Sequence, residues 1–380
     1  MFLHKNRKFL AAVLALPALF SLTFPTAAQV DKAKQGVEIV KKESEKRVDV
    51  FVDGELFTSY IWPDNLKKPV LYPVKTAGGA FITRKFPLEA RAGESVDHPH
   101  QVGFWFNYGD VNGVDFWNNS IYRTPAERAK MGTIVHRKIK GIKNGKTSGE
   151  LSVEMDWLMP DGRIVLHENT KFIFYADKNL RSIDRITTLT AAAEKVVLGD
   201  SKEGLLGLRV RRELEQPAKE PLLLTDASGK PSDKKVLENS GVSGEYLSSE
   251  GKTGDAVWGT RAKWTLLAGQ VENEPVTIVI FDNPKNLGFP THWMARGYGL
   301  FAANSLGQKA YSDSEKESKI TLEPKKSIKF AYRVLILSQK ATPEQIEEYY
   351  SNFAETRTIV GRVFCQQGKT CWTIMRVSAI

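Results

Sequence analysis

The run Asp97-His98-Pro99-His100-Gln101-Val102-Gly103, continuing through Phe104-Trp105-Phe106-Asn107-Tyr108 to Asp115-Phe116-Trp117, concentrates groups that exchange protons, bind metals or stack on flat ligands. It holds two of the six histidines, two of the eight tryptophans, three aspartates and three glycines in 21 residues. In an extended chain, side chains two positions apart share a face, and Pro99 favours extended geometry at His98. His98 and His100 are therefore expected side by side on a strand. Two imidazoles so placed can hold a metal, or can hydrogen-bond a polar ligand and exchange its protons. Asp97, Asp110 and Asp115 are within sequence reach as partners that orient them. Phe104 and Phe106 read as core. Trp105 and Trp117 offer a flat face with one polar handle on which a sugar ring can stack, with Asn107 and Asp115 as polar groups beside them.

Two further segments carry matching chemistry. In Gly288 to Asn304, His292 is the candidate third imidazole. Arg296 is a fixed cation with five donors, suited to a carboxylate, a keto oxygen or a developing oxyanion. In Gly199 to Arg209, Glu203 is a general base if desolvated, with Asp200 and Arg209 nearby. In the first reading a histidine (His98, His100 or His292) polarises or protonates a ring or glycosidic oxygen. Glu203 or Asp110 takes the balancing proton, Arg296 stabilises negative charge, and no cofactor is needed. In the second, His98, His100 and His292 ligate a divalent metal, completed by Asp110 or Glu203. A third is a non-catalytic carbohydrate-binding envelope protein. His136 and His167, on regular strands, read as structural. The chain has no nucleophile elbow, phosphate loop, H-E-x-x-H or dinucleotide fingerprint.

The elements that must position these groups read as strands. Val48, Val50 and Val52 alternate before an Asp53-Gly54 turn, and Glu55 to Trp62 completes a hairpin. Val70 to Val74, Ala80 to Arg84 and His98 to Tyr108 follow. A meander spans Thr133–Lys138, Gly149–Leu158, Ile164–Tyr175 and Ile183–Leu189. Residues 217–255 form a polar excursion. Residues 284–306 read as a second functional loop, and Ile320 to Leu337 as two more strands. Thr342 and Pro343 open the one clear helix, Pro343 to Ala354. So many strands and one helix imply an all-β fold, a large antiparallel β-sandwich. The expected organisation is a leader at 1–28, a polar lead-in or short helix at 29–46, one sandwich domain at 47–355 and a basic tail at 356–380.

The net charge of +10 is spread, with +3 in residues 1–28, +4 in residues 356–380 and the remaining +3 over the whole body. No concentrated basic face suits nucleic acid. Lys5, Arg7 and Lys8, the apolar run Phe9 to Phe20 and the small residues up to Ala28 have the layout of a secretory signal cleaved near Ala28. The expectation is a periplasmic or secreted protein with no membrane span after cleavage, acting on a carbohydrate or glycoside. The oligomeric state is left open. Cys365 and Cys371 both fall in the tail, where a short disulfide loop is one possibility.

Four blocks in order resemble one family. They are Lys68-Pro69-Val70-Leu71-Tyr72-Pro73-Val74, the stretch from Asp97 to Trp117, Lys202-Glu203-Gly204 with Gly207 and Arg209, and Ala295-Arg296-Gly297-Tyr298-Gly299-Leu300-Phe301-Ala302-Ala303-Asn304. Together, over roughly residues 45–354, they are similar to the DUF6807 family, whose members are often labelled methane oxygenase PmoA. Relatives often carry a further basic residue or histidine where this chain has Gln101, and the tail has no counterpart. A membrane monooxygenase subunit needs long apolar spans, so the label is set aside. The resemblance implies a supersandwich like that of galactose mutarotase, a fold that also serves sugar lyases and hydrolases.

Overall fold

The computed structural model describes residues 35–355. The leader, residues 29–34, and the tail with Cys365 and Cys371 lie outside the described residues. Eighteen strands follow one another: β1 Val37–Lys42, β2 Arg47–Val52, β3 Glu55–Ile61, β4 Val70–Val74, β5 Phe104–Tyr108, β6 Thr133–Lys143, β7 Ser148–Leu158, β8 Ile164–Ala176, β9 Leu180–Ala191, β10 Val196–Leu198, β11 Gly204–Arg209, β12 Glu245–Ser248, β13 Trp264–Val271, β14 Glu274–Asp282, β15 His292–Arg296, β16 Leu300–Asn304, β17 Ile320–Leu322 and β18 Ser327–Leu337. A one-turn helix α1, Pro125–Arg128, precedes β6, and the capped helix α2, Pro343–Ala354, ends the described chain. Among the described residues no helix is long and apolar enough to cross a membrane.

Two eight-stranded antiparallel sheets make an all-β sandwich. The first has the order β1-β2-β3-β4-β5-β11-β16-β15, the second β12-β13-β14-β18-β9-β8-β7-β6, and β10 pairs with β17 as a ribbon. Period-2 alternation sorts each strand's side chains between two faces. Leu206 and Leu208 of β11, Phe104 and Phe106 of β5 and Phe301 of β16 join the core between the sheets, with Phe172, Ile183 and Ile336 opposite. The alternate residues, Trp105, Met294, Leu300 and Ala302, form a second apolar layer on the outer face of the first sheet. Arg209 and Arg296 belong to that outer set. Gly207 is paired with Trp105 across the β5–β11 ladder. A Cβ there would meet the indole at 2.4 Å, so only glycine lets Trp105 lie across the neighbouring strand. On the far side, Ile346, Tyr350 and Phe353 of α2 pack on Phe281 and Leu335.

Several expectations hold. The β2–β3 hairpin turns at Asp53 and Gly54, both at positive φ. The meander β6 to β9 is continuous, and Thr342 closes a capping box at the start of α2. Others are corrected. Residues 37–42 form an edge strand rather than a lead-in or helix, because pairing with β2 buries Val37 and Ile39 despite charged neighbours. Residues 80–84 form only isolated bridges. Residues 292–304 are a β-hairpin that ends the first sheet, not a loop.

His98 to Tyr108 is not one strand either, since β5 begins at Phe104. His98 has φ +43, and its carbonyl accepts from Gln101 N at 2.9 Å in a turn. The cause is Arg84, whose guanidinium takes the carbonyls of Ser95, Asp97, His98 and Gln101 at 2.8–3.1 Å. Those acceptors are no longer free for a ladder.

One ion pair crosses the core. Arg185 on β9 donates to Glu168 on β8 at 2.7 Å, and Glu168 also accepts from Trp157 at 2.8 Å and Thr170 at 2.6 Å. The guanidinium lies 5.0 Å from the rings of Phe106 and Phe172, bridging the two sheets. Removing one member of a buried pair leaves the other uncompensated. Glu168→Ala is therefore expected to destabilise the fold by about 3–5 kcal/mol, read from urea unfolding. Substituting an exposed lysine such as Lys138 should change stability by less than about 0.5 kcal/mol.

Candidate functional site

The site is built outward from Asp97. Burial alone would raise its carboxyl, but Arg209, the His98 hydrogen bond and Arg84 outweigh this and hold it well below the usual carboxylate range. Its Oδ1 accepts from Arg84 at 2.8 Å and from Arg209 at 2.6 Å, both guanidiniums being almost wholly buried. Its Oδ2 faces His98 Nδ1 at 2.7 Å. Arg209 also donates to Gln101 Oε1 at 2.7 Å and Ser95 Oγ at 3.0 Å. The imidazole of His98 is thus held by a carboxylate that is itself clamped.

The other face of the His98 imidazole is held by Tyr298, stacked at 4.7 Å and 3°. Arg209 lies 4.8 Å from the centre of the same tyrosine ring. His98 remains 40% exposed, and its Nε2 has no partner among the described residues. With its Nδ1–H donated to the Asp97 carboxylate, a neutral imidazole presents Nε2 to a ligand as an acceptor, and as a donor once that nitrogen is protonated.

Glu203 stands just before β11. Its amide donates to Ser201 Oγ at 3.1 Å and its carbonyl accepts from Gly109 at 2.7 Å, so the backbone is fixed. No hydrogen bond or ion pair among the described residues engages its half-buried carboxylate. Burial raises its pKa, Lys202 opposes this, Asp115 adds to it, and Arg296 and His98 lower it. Arg296, at the end of β15, is half-buried with its guanidinium 4.6 Å from the Trp258 ring and no acceptor among the described residues. Trp258 Nε1 is likewise buried without a partner. An unpaired carboxylate, an oriented imidazole and an unpaired guanidinium therefore act on one another through space. That arrangement can move protons and stabilise negative charge.

The family model described as a family of unknown function, DUF6807, matches residues 47–351. The chain belongs to the DUF6807 family. No curated protein matches it. Solved structures resemble it at low identity. Against a GH36 α-galactosidase, AgaB, from Geobacillus stearothermophilus the identity is 10%, with TM-score 0.39, covering 80% of this chain and 41% of that one. Against a putative aldose 1-epimerase from Escherichia coli K12 it is 13%, with TM-score 0.29, covering 79% and 98%. Against a galactose mutarotase-like protein from Clostridium acetobutylicum it is 11%, with TM-score 0.31, covering 79% and 98%.

In this DUF6807 chain several residues expected in the site have other work. Trp105 and Trp117 are wholly buried, 5.4 Å apart, and cannot stack on a ligand. Asn107 accepts from Trp105 Nε1 at 3.1 Å and donates to the Phe116 carbonyl at 2.8 Å, so it braces the core. Asp110 accepts from Gly113 N at 2.9 Å in a turn. Asp115 caps Trp117 N at 2.7 Å and Asn118 N at 3.0 Å. Arg209 positions Asp97 and does not face a ligand. His292 is 2% exposed; it contacts the Gly307 carbonyl at 2.8 Å and Glu315 at 3.3 Å, and stacks on Tyr311 at 4.9 Å, holding the loop after β16. His100 is buried at 74° to His98 rather than aligned with it. Burial, then Lys68 and His98, push its pKa down to about 2, so it stays neutral. Among the described residues no three His, Cys, Asp or Glu side chains are placed to hold a metal ion. His98, His100 and His292 do not gather as ligands.

Of the expected residues His98, Glu203 and Arg296 remain. Arg84, Gln101, Tyr298 and Trp258 were not expected. Tyr298 had a signal, a single aromatic between Gly297 and Gly299 beside Arg296. Arg84 had a weaker one, a cation next to Ile82 and Thr83 in a strand-like run.

Asp97 carries a stability prediction. Its folded pKa is depressed, so its ionised form stabilises the fold above the ordinary carboxylate pKa, and that stabilisation is lost as pH falls through it toward the folded value. Asp97→Asn should cost about 3 kcal/mol at neutral pH, the lower end for a buried pair, since Asp97 keeps 34% of its side chain exposed. Urea unfolding below about pH 4 should then show a shallower acid limb in the variant than in the wild type.

Proposed function

We propose that this chain is an exported enzyme that carries out acid–base chemistry on a sugar or glycoside, with Glu203 and His98 as the proton-transferring pair and Arg296 as the stabiliser of developing negative charge. The observation that carries the reading is the Glu203 carboxylate: half-buried, unpaired among the described residues, and within electrostatic reach of His98 and Arg296. Burial raises the Glu203 carboxyl above its ordinary range, and a carboxyl shifted in that direction is better suited to exchange a proton with a substrate. His98, oriented by Asp97, supplies the second proton position at Nε2. Export rests on the basic and apolar N-terminal layout.

The choice among hydrolase, lyase and epimerase turns on carboxylates. Two-carboxylate glycoside hydrolysis needs a second free Asp or Glu across the bond, whereas both oxygens of Asp115 and Oδ1 of Asp110 are drawn into turns. A carboxylate under the electrostatic influence of an imidazole and an arginine fits proton abstraction and return next to a carbonyl or ring oxygen. We therefore favour epimerase- or lyase-type proton transfer, in which one group takes a proton, the other supplies one, and Arg296 holds the intervening oxyanion. No step is routed through a cofactor.

The test is turnover over a panel of sugars and glycosides, followed by NMR for epimerisation and by ultraviolet absorbance for unsaturated products. Glu203→Gln and His98→Asn should each lower kcat by about 10²–10⁴-fold, and Arg296→Met by about 10²–10³-fold. The kcat limb set by Glu203 should lie above the ordinary glutamate range and vanish in Glu203→Gln. Full turnover in both Glu203→Gln and His98→Asn would sink the assignment. Saturable glycan binding without product would favour the binding-protein reading.

A further inference from the structure

A recess beside the site is walled by Lys67, Lys68, His100, Asn119, Ser120 and Tyr122. Its inner cavity is about 20 Å³, and with its open mouth it holds about 380 Å³ of empty space. Its lining includes no aspartate or glutamate. Three polar atoms of its wall, His100 Nε2, Asn119 Oδ1 and Ser120 Oγ, are buried without a hydrogen-bond partner. Those residues are 5%, 3% and 6% exposed.

Lys68 is the stranger feature. It is 5% exposed. Its Nζ donates to the His100 carbonyl at 2.7 Å and rests 5.3 Å from the Trp105 ring. An ammonium has three donors, so two are unused. No carboxylate among the described residues pairs with it. Asp115 reaches it only through space, its own oxygens being held by Trp117 and Asn118. Buried charges normally have a counter-ion, and here the space where one would sit is open.

We propose that this recess is an anion site for a carboxylate, and that the carboxylate is carried by an acidic sugar whose ring lies at His98 and Glu203. The second half rests on the acid–base reading; the first does not. Two Lys68 N–H groups, the Ser120 hydroxyl and His100, in the tautomer protonated at Nε2, supply donors to the carboxylate. Asn119 Oδ1 accepts a hydrogen bond from a sugar hydroxyl, since its Nδ2 is already committed to the Gly132 carbonyl at 2.8 Å and to Thr133 at 3.2 Å. The two sites share a wall, with the His98 and His100 rings 5.7 Å apart. At the mouth Tyr122, 57% exposed, leans on Phe86 at 6.1 Å and offers a flat edge to a ring.

The groups facing Lys68 are Asp115, His100 and Lys67, with Arg123 acting on His100 from farther out. Burial, opposed in part by Asp115, brings Lys68 down to about 7. The ammonium, and with it anion binding, is therefore lost as pH rises through neutrality.

Calorimetric titration with glucuronate, glucose and acetate, on either side of pH about 7, tests this. Glucuronate should bind at least about tenfold tighter than glucose below that pH, and the preference should shrink above it. Lys68→Met and Ser120→Ala should each reduce the preference. Ser120→Ala keeps the lysine and its bond to His100, and so serves if Lys68→Met fails to fold. Glu203→Gln should lower turnover by about 10²–10⁴-fold and leave the preference in place, which separates this proposal from the acid–base reading. Equal binding of glucuronate and glucose, or an undiminished preference in both recess variants, overturns the anion site. Lys68-dependent binding of acetate as tight as that of glucuronate overturns the sugar assignment in favour of a free anion.

Discussion

One carboxylate oxygen shared by two buried guanidiniums organises this face of the molecule. Arg84 and Arg209 come from different parts of the chain and meet on Asp97 Oδ1. Two buried like charges repel, and without the carboxylate between them neither would be tolerated away from water. Once the three are in place, the remaining N–H groups of Arg84 collect the carbonyls of residues 95–101, and those of Arg209 fix Ser95 and Gln101. A segment that would otherwise continue as a strand becomes a rigid turn with His98 at its tip. Glu215 extends the cluster, 3.7 Å from Arg209, and burial pushes its carboxyl up to about 7 against the pull of Arg209 and Arg212.

The site divides into groups that set geometry and groups with capacity to spare. Asp97, Asn107 and Asp115 have their partners, and Arg84 and Arg209 are held through their terminal nitrogens while each Nε is left without one. Glu203, Arg296 and the Nε2 atoms of His98 and His100 lack partners among the described residues, and Lys68 has the His100 carbonyl alone. Protein interiors pair nearly all buried polar groups, so a cluster of unpaired ones supports the proposal that an external ligand completes the network. Membership in a family of unknown function leaves this chemistry as the ground for a functional reading.

The elements were largely legible. Period-2 alternation marked β2 and the long meander strands, because each buries one face in the core. The helix α2 announced itself through Thr342 and Pro343. What failed was local. The His98-Pro99-His100 spacing implies a shared face only if the chain is extended, and Arg84, distant from it in sequence, removes that condition. Trp105 and Trp117 read as ligand platforms because an indole offers a flat face with one polar handle, but Gly207 lets Trp105 lie across the next strand and both rings are wholly buried. His292 lost its place to the Gly307 carbonyl and Glu315, partners that no spacing rule predicts.

The sequence by itself determined the class of fold, the segments that meet at the site and the residue types available there, since these follow from alternation, capping and composition, which are local. Only the tertiary structure decided which of those residues remain free to act. Whether a carboxylate is a turn cap like Asp110, a clamp like Asp97 or an unpaired group like Glu203 depends on which donors the fold brings within about 3 Å; Asp110 finds its donor three residues along the chain, but Asp97 needs Arg209, a neighbour in space and not in sequence.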